Sequence, residues 1–394
     1  MSNAAPSQHS AHIARYGYAA IAVLAFGLVE LATYTAARVY LLQRIPFLLY
    51  MPPDIDTEDW QRYKRERDPV LGWPSASALA STDHDPSGSR HNPTYPTPGG
   101  ECLTLYGDSY TYGSEVSDRE TWSHVLSRRF RCRVGNFGVG GYGTDQSLLR
   151  FTANDADEAP VSILGLFPAN MMRNVNQYRH LRTGDSPLGF KPRFVVEGDS
   201  LRLIPKPDPT YGEFQILKDD LGRLLPHEAF QPGTAVGPVP FGFPFTLTVG
   251  RLLFHDQVRN WLLGQPSWID FLDSDHPSRA LQVTTGICRQ FMKECQLRNK
   301  TCFVLLLPTP SSYQYYKATG RLALQPVMEE FSRLGIPHIN LTPNFAEELG
   351  LHPFSEVLTN QPQPGMGHFN AYGNTMVASF VADHLGEIDA RIGD

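Results

Sequence analysis

Three short runs of continuous apolar residues set the strongest limit on what this chain can become. CLTLYG (102–107), VSILGLF (161–167) and CFVLLLP (302–308) are too short for core helices and do not alternate with polar residues. Runs of that kind fit strands buried on both faces, as in a parallel sheet covered by helices. CRVGNF (132–137) and GIPHINL (335–341) add two more strands. Between and after the strands lie segments of helical spacing: 120–130, 145–155, 279–299, a stretch near 322–334, and 371–385. Strands alternating with helices predict an α/β fold around a parallel sheet.

A different physics governs the first forty residues. From Tyr16 to Ala37 the chain is apolar, with Glu30 its only charge. Twenty-two residues at about 1.5 Å each cross a hydrocarbon layer of roughly 30 Å. A cleaved signal peptide has a shorter apolar core, a basic leader and a small-residue cleavage site. Here only Arg15 precedes the run, while Arg38, Tyr40 and Arg44 follow it as interfacial anchors. The reading is an N-terminal tail over 1–15 and an uncleaved single-pass anchor over 16–43. Glu30 inside the span calls for a membrane partner or polar contact, or is tolerated near one end of a tilted helix. Arg38 and Arg44 against Arg15 weakly favour a cytoplasmic body, although large domains translocate regardless of such counts.

Residues 44–100 read as a polar, mostly helical stalk followed by a linker rich in Ser, Pro, Gly and Thr. One large folded domain is expected over 101–394, interrupted by an insertion of about 181–276. The first part of that insertion, 181–245, holds ten prolines. Within it FVVEGDSLRLIP (194–205) reads as a hairpin and RLLFHDQVRNWLL (251–263) as one helix. Five cysteines, with no CxxC pair, exclude a dense disulfide scaffold and offer no zinc spacing. Cys102 and Cys132 open neighbouring strands and could pair in an oxidising compartment; two buried thiols are the expectation.

Ligands of open parallel sheets gather at the carboxyl ends of the strands. The first strand ends in Gly107-Asp108-Ser109, the second in Asn136-Phe137-Gly138-Val139-Gly140-Gly141, and the third in Phe167-Pro168-Ala169-Asn170. Far downstream, Gly367-His368-Phe369-Asn370 precedes the last helix. Serine, glycine amide, asparagine and histidine are the components of acyl transfer. Serine attacks the carbonyl, histidine moves the proton, and N–H donors hold the oxyanion. Taken singly, each piece is an ordinary turn, helix cap or surface histidine.

In this order they resemble the SGNH (GDSL-type) hydrolase family, in its membrane-anchored branch. DPVLGW (68–73), LYGDSYTYGSEVSDRETW (105–122), NFGVGGYGTDQSLL (136–149) and HFNAYGN (368–374) carry the resemblance, which spans about 68–385 apart from the insertion. It implies a flavodoxin-like three-layer sandwich with a five-stranded parallel sheet. It also implies Ser109 as nucleophile, His368 as base, and Ser109, Gly141 and Asn170 as oxyanion hole, with Gly107 and Asp108 shaping the turn. Family members usually carry an acid three residues before the histidine; Gly365 stands there. A main-chain carbonyl, or an acid such as Glu356, would have to orient the ring. The Asp that usually follows the third-motif asparagine is replaced by Met171.

The activity so implied is a membrane-anchored serine esterase acting on acyl, chiefly O-acetyl, esters, with a surface glycan as the candidate substrate and an extracytoplasmic catalytic domain. The alternatives are an O-acyltransferase with the same residues and a catalytically degraded binding or assembly module. GVGGYG (138–143) also satisfies GxGxxG, but it follows the second strand, and the next strand ends without the acid that would hold a ribose. Thirteen histidines include no HExxH, so neither metal nor cofactor is expected. A net charge of −6 and no long basic run argue against a nucleic-acid partner.

Overall fold

The five expected strands form one sheet because their side chains sort cleanly by alternation. The structure, a computed structural model, describes residues 8–41, 48–75, 84–198, 200–218, 220–359 and 367–388. Strands β2 (Glu101–Tyr106), β3 (Arg133–Asn136), β4 (Val161–Leu166), β8 (Thr301–Leu306) and β9 (His338–Asn340) pair in the order β3-β2-β4-β8-β9, all parallel. In chain order that is 2-1-3-4-5, the flavodoxin-like arrangement. Leu103, Leu105, Ile163, Phe303 and Leu305 point to one face, against Trp122, Leu126 and the last helix, Ala371–Ile388. Tyr106, Leu164, Leu166, Val304 and Leu306 point to the other, against Phe151, Ile287, Phe291 and Phe331. Two cores, one on each side, are why the strand sequences read as unbroken apolar runs.

Outside this sheet, β5 (Arg193–Glu197) and β6 (Ser200–Ile204) form the expected hairpin. β1 (Leu49–Tyr50) pairs with β7 (Val239–Pro240) of the insertion. The following helix, Thr57–Glu66, stacks Trp60 on Phe214, 4.9 Å between ring centroids. This part of the polar, helical stalk packs against the insertion. Part of the linker is also integral: Ser89, Arg90 and Asn92 are buried, and Arg90 N–H donates to Asn136 O at 2.8 Å.

Residues 251–263 depart from the single helix expected. They belong to two helices, Phe245–Leu253 and Asp256–Leu262. His255 causes the break. Its backbone is extended, its Nδ1 accepts from Gln257 N–H at 3.2 Å, and its Nε2 meets Gly237 O at 2.9 Å. The cysteines depart from expectation too. Cys102 is bridged to Cys132 and Cys295 to Cys302, with Cα separations of 6.0 and 6.2 Å, leaving Cys288 as a buried free thiol. The parallel pairing of β2 with β3 brings the first pair together.

Among the described residues, Tyr16–Leu41 is the one helix long and apolar enough to cross a membrane. Glu30 on it is 4% exposed. Its carboxylate accepts from Phe245 N–H at 2.5 Å, from Thr246 N–H at 3.3 Å and from the Thr246 hydroxyl. The polar contact that the sequence called for lies within the chain itself, at the N-terminus of an insertion helix.

Candidate active site

Register brings the carboxyl ends of β2, β3 and β4 to one edge, since Leu105 pairs with both Asn136 and Ile163. Ser109 opens a one-turn helix, Ser109–Tyr112, directly after β2. Asp108 caps it by accepting Tyr110 N–H at 2.9 Å. Gly107 is required by close approach. A Cβ there would fall 2.0 Å from Thr111 Oγ1. The turn is then fixed from its carbonyls: Asn136 Nδ2 donates to Thr111 O at 2.9 Å, and Trp122 Nε1 donates to Tyr110 O and Thr111 O at 3.2 and 3.1 Å. Ser109 is 7% exposed, and its hydroxyl bonds to no group among the described residues. As the first helical residue its N–H has no intrahelical partner.

His368 meets this turn from the far end of the chain. Tyr110, next to Ser109, places its ring 5.0 Å from the imidazole and donates its hydroxyl to Gly367 O at 3.0 Å. His368 O is held by Thr359 N–H at 2.9 Å. A carboxylate does approach the ring, that of Glu115. Its Oε1 lies 3.0 Å from His368 Nδ1, while Oε2 accepts from His368 N–H at 3.3 Å and from the Thr359 hydroxyl. One carboxylate therefore bonds the backbone of the histidine and stands beside its ring, where the 3.0 Å contact to Nδ1 is a charge pair without hydrogen-bond alignment. Partial burial would raise the Glu115 pKa, but Thr359 and His368 outweigh it and hold the carboxyl below its ordinary value. Glu356 does not serve; its Oε1 sits 2.9 Å from His352 Nδ1. Gly365 lies outside the described residues.

Glu115 escaped the sequence reading, which looked for the acid beside the histidine. The signal was inside the quoted nucleophile motif: an acid six residues after Ser109 and two after Gly113. Both Gly113 (φ 76°) and Glu115 (φ 72°) adopt left-handed backbone, reversing the chain so that the carboxylate returns to the site. A non-glycine residue in that region is uncommon, and at active sites such strain is held by surrounding contacts.

Gly141 occupies a left-handed turn after β3 (φ 80°), and its N–H donates to nothing among the described residues. Asn170 follows β4, accepts Phe167 N–H at 2.8 Å, and directs Nδ2 to Tyr142 O at 3.2 Å. Its amide is thereby tied to the residue after Gly141. Arg173, which sequence reasoning did not nominate, donates to the same carbonyl at 2.9 Å and lies 3.8 Å from Asp108 Oδ2. Burial raises the Asp108 pKa; Arg173, Tyr110 N–H, Asn170 and His368 oppose it. Met171 is fully buried in the core, as a packing residue. Chemically the site offers a hydroxyl, an imidazole with a carboxylate 3.0 Å from its Nδ1, and N–H donors on two turns.

No family model matches the chain, and no curated protein matches it. Solved structures similar to it include a two-domain esterase active on acetylated mannans, with 13% identity, 73% of this chain and 49% of that one covered, and a TM-score of 0.34. Another is an SGNH-hydrolase family esterase, at 13% identity, coverages of 74% and 98%, and a TM-score of 0.30. A third is a lipolytic protein of the G-D-S-L family from Desulfitobacterium hafniense, at 10% identity, coverages of 72% and 98%, and a TM-score of 0.29.

Proposed function

We propose that this protein is a membrane-anchored serine esterase of the SGNH type, acting on O-acyl esters of an extracytoplasmic glycan. The observation that carries the reading is the Glu115–His368 pair, 3.0 Å from carboxylate to Nδ1, beside the Ser109 turn. A carboxylate 3.0 Å from Nδ1, though not aligned with it as a hydrogen bond here, favours the proton on that nitrogen and leaves Nε2 basic. Ser109 Oγ attacks the ester carbonyl while His368 Nε2 takes its proton. The oxyanion is held by the N–H groups of Ser109 and Gly141 and the amide of Asn170. His368 returns the proton to the departing sugar oxygen, leaving an acyl-serine. Water, deprotonated by the same imidazole, then releases the carboxylic acid and restores Ser109.

Two observations support the cellular placement. The helix Tyr16–Leu41 supplies the anchor, and two disulfides fit an oxidising compartment in preference to the cytosol. That weighs against the charge count around the span. The glycan substrate rests on the sequence resemblance. Hydrolysis of p-nitrophenyl acetate by the full chain, abolished in Ser109→Ala, tests the enzyme reading. Wild-type turnover in Ser109→Ala refutes it. Offering an acyl donor with and without a sugar acceptor, and following where the acyl group goes, separates hydrolase from transferase.

A further inference from the structure

The insertion exposes apolar side chains where a soluble body would not. Phe243 is 69% exposed, Phe254 87% and Trp261 75%, with Leu247, Leu262 and Leu263 at least half exposed. All six fall within 243–263, whereas elsewhere on the body exposed apolar residues such as Ile216, Leu297 and Leu351 stand apart in sequence. These residues also adjoin the anchor. Phe243 packs edge-on against Phe26, 6.0 Å between centroids, and Phe245 against Tyr34 at 4.8 Å. Glu30 caps the helix Phe245–Leu253 through two backbone N–H groups.

The length of the anchor determines how deep that cap lies. The uninterrupted apolar stretch before Glu30 is Tyr16–Val29, 14 residues or about 21 Å, too short for a hydrocarbon core of about 30 Å. Extending the span toward the N-terminus would bring in Arg15 and His12. It must therefore continue past Glu30, and a span of about 20 residues from Tyr16 ends near Thr35. Glu30 then lies roughly 8 Å inside the apolar layer, and the N-terminus of the insertion helix lies there with it.

We propose that the helix pair Phe245–Leu253 and Asp256–Leu262 is a second membrane element that embeds in the acyl region of the bilayer beside the anchor and fixes the catalytic body against the lipid surface. The depth matches that of helices lying in a membrane interface, about 5–10 Å. It also accounts for Glu30. A carboxylate within the apolar layer is costly unless its oxygens are bonded, and the helix it caps supplies those bonds. The inference rests on the membrane-anchor reading above.

The test uses the full chain in phosphatidylcholine vesicles whose acyl chains are brominated at positions 6 and 7, compared with unbrominated vesicles. Trp60, Trp122 and Trp268 are buried in the protein and Trp73 lies on the body, so Trp261 is the lipid-facing reporter. Expected is a fractional quenching clearly larger in the wild type than in Trp261→Phe, restored when Phe254→Trp is added to that variant. Equal quenching in wild type and Trp261→Phe, with no restoration by Phe254→Trp, overturns the inference; a face covered by a protein partner or by water gives that result. Flotation is measured on the same samples. A chain that does not float with the vesicles overturns the anchor and this inference together, whereas floating without Trp261 quenching overturns this inference alone.

Discussion

Replacing Glu115 by Gln removes one negative charge from beside His368 and changes almost nothing else in size. Its effect can be bounded from the geometry. In the transition state the imidazole carries a proton and faces the carboxylate at 3.0 Å. A charge pair at about 4 Å is worth ~1 kcal/mol in bulk water and ~4 kcal/mol at an effective dielectric near 20. The two side chains are 22% and 33% exposed, so water screens them partly, and about 2–3 kcal/mol is the reasonable value. At 1.36 kcal/mol per tenfold, kcat should fall roughly 30- to 150-fold. That is less than the ~10⁴ lost when a fully buried triad carboxylate is neutralised. The pair strengthens only as the imidazolium forms, so KM should barely move. Glu356→Gln is the control and should be silent, because Glu356 faces His352. Steady-state hydrolysis of p-nitrophenyl acetate measures all three proteins. A Glu115→Gln enzyme within twofold of wild type, or a Glu356→Gln enzyme as impaired, refutes the assignment.

Other consequences follow from the same contacts. Glu115 is held below its ordinary pKa, so the stability it contributes is present above about pH 4.3 and is lost as pH falls through its lower folded value. The melting-temperature advantage of wild type over Glu115→Gln should therefore shrink in acid. Asn170→Ala should slow turnover by roughly 10²–10³ through a lost oxyanion donor. Gly365→Asp should leave activity unchanged or reduce it, since Glu115 already occupies the Nδ1 side; a marked gain would mean the histidine lacks an acid. Cys102→Ser opens a bridge spanning 30 residues and Cys295→Ser one spanning 7, so the first should cost more, about 3–4 kcal/mol in denaturant titration. The buried Lys191–Asp145 ion pair ties the insertion to the helix Thr144–Ala153. Asp145→Leu alone should cost about 3–5 kcal/mol, with much of it regained in the Asp145→Leu/Lys191→Met double variant.

Sheet and nucleophile turn were legible because their causes are local. Leu103, Leu105, Leu164 and Val304 had to be buried whatever lay against them, and Gly107-Asp108-Ser109 follows a strand that has to end. Arg173 was not legible, and Glu115, though visible as an acid within the nucleophile motif, could not be matched to its partner: His368 lies 253 positions away. Pairing at that range is set by where β2 and the last helix come together. The break at His255 has the same origin, since its ring bonds Gly237 in a neighbouring loop, which no helical periodicity reports. Glu30 was an anomaly in the sequence and became intelligible only beside Thr246.

The proposed esterase requires Ser109 to be a nucleophile activated by His368 and Glu115. Reaction of the full chain with a fluorophosphonate, followed by intact-mass and peptide analysis, tests it most directly, because phosphonylation needs an activated serine and no knowledge of the substrate. Expected is a single adduct on the peptide containing Ser109, absent in Ser109→Ala and slowed in both His368→Ala and Glu115→Gln. No adduct on the wild type, or an adduct that forms equally fast without His368, would contradict it.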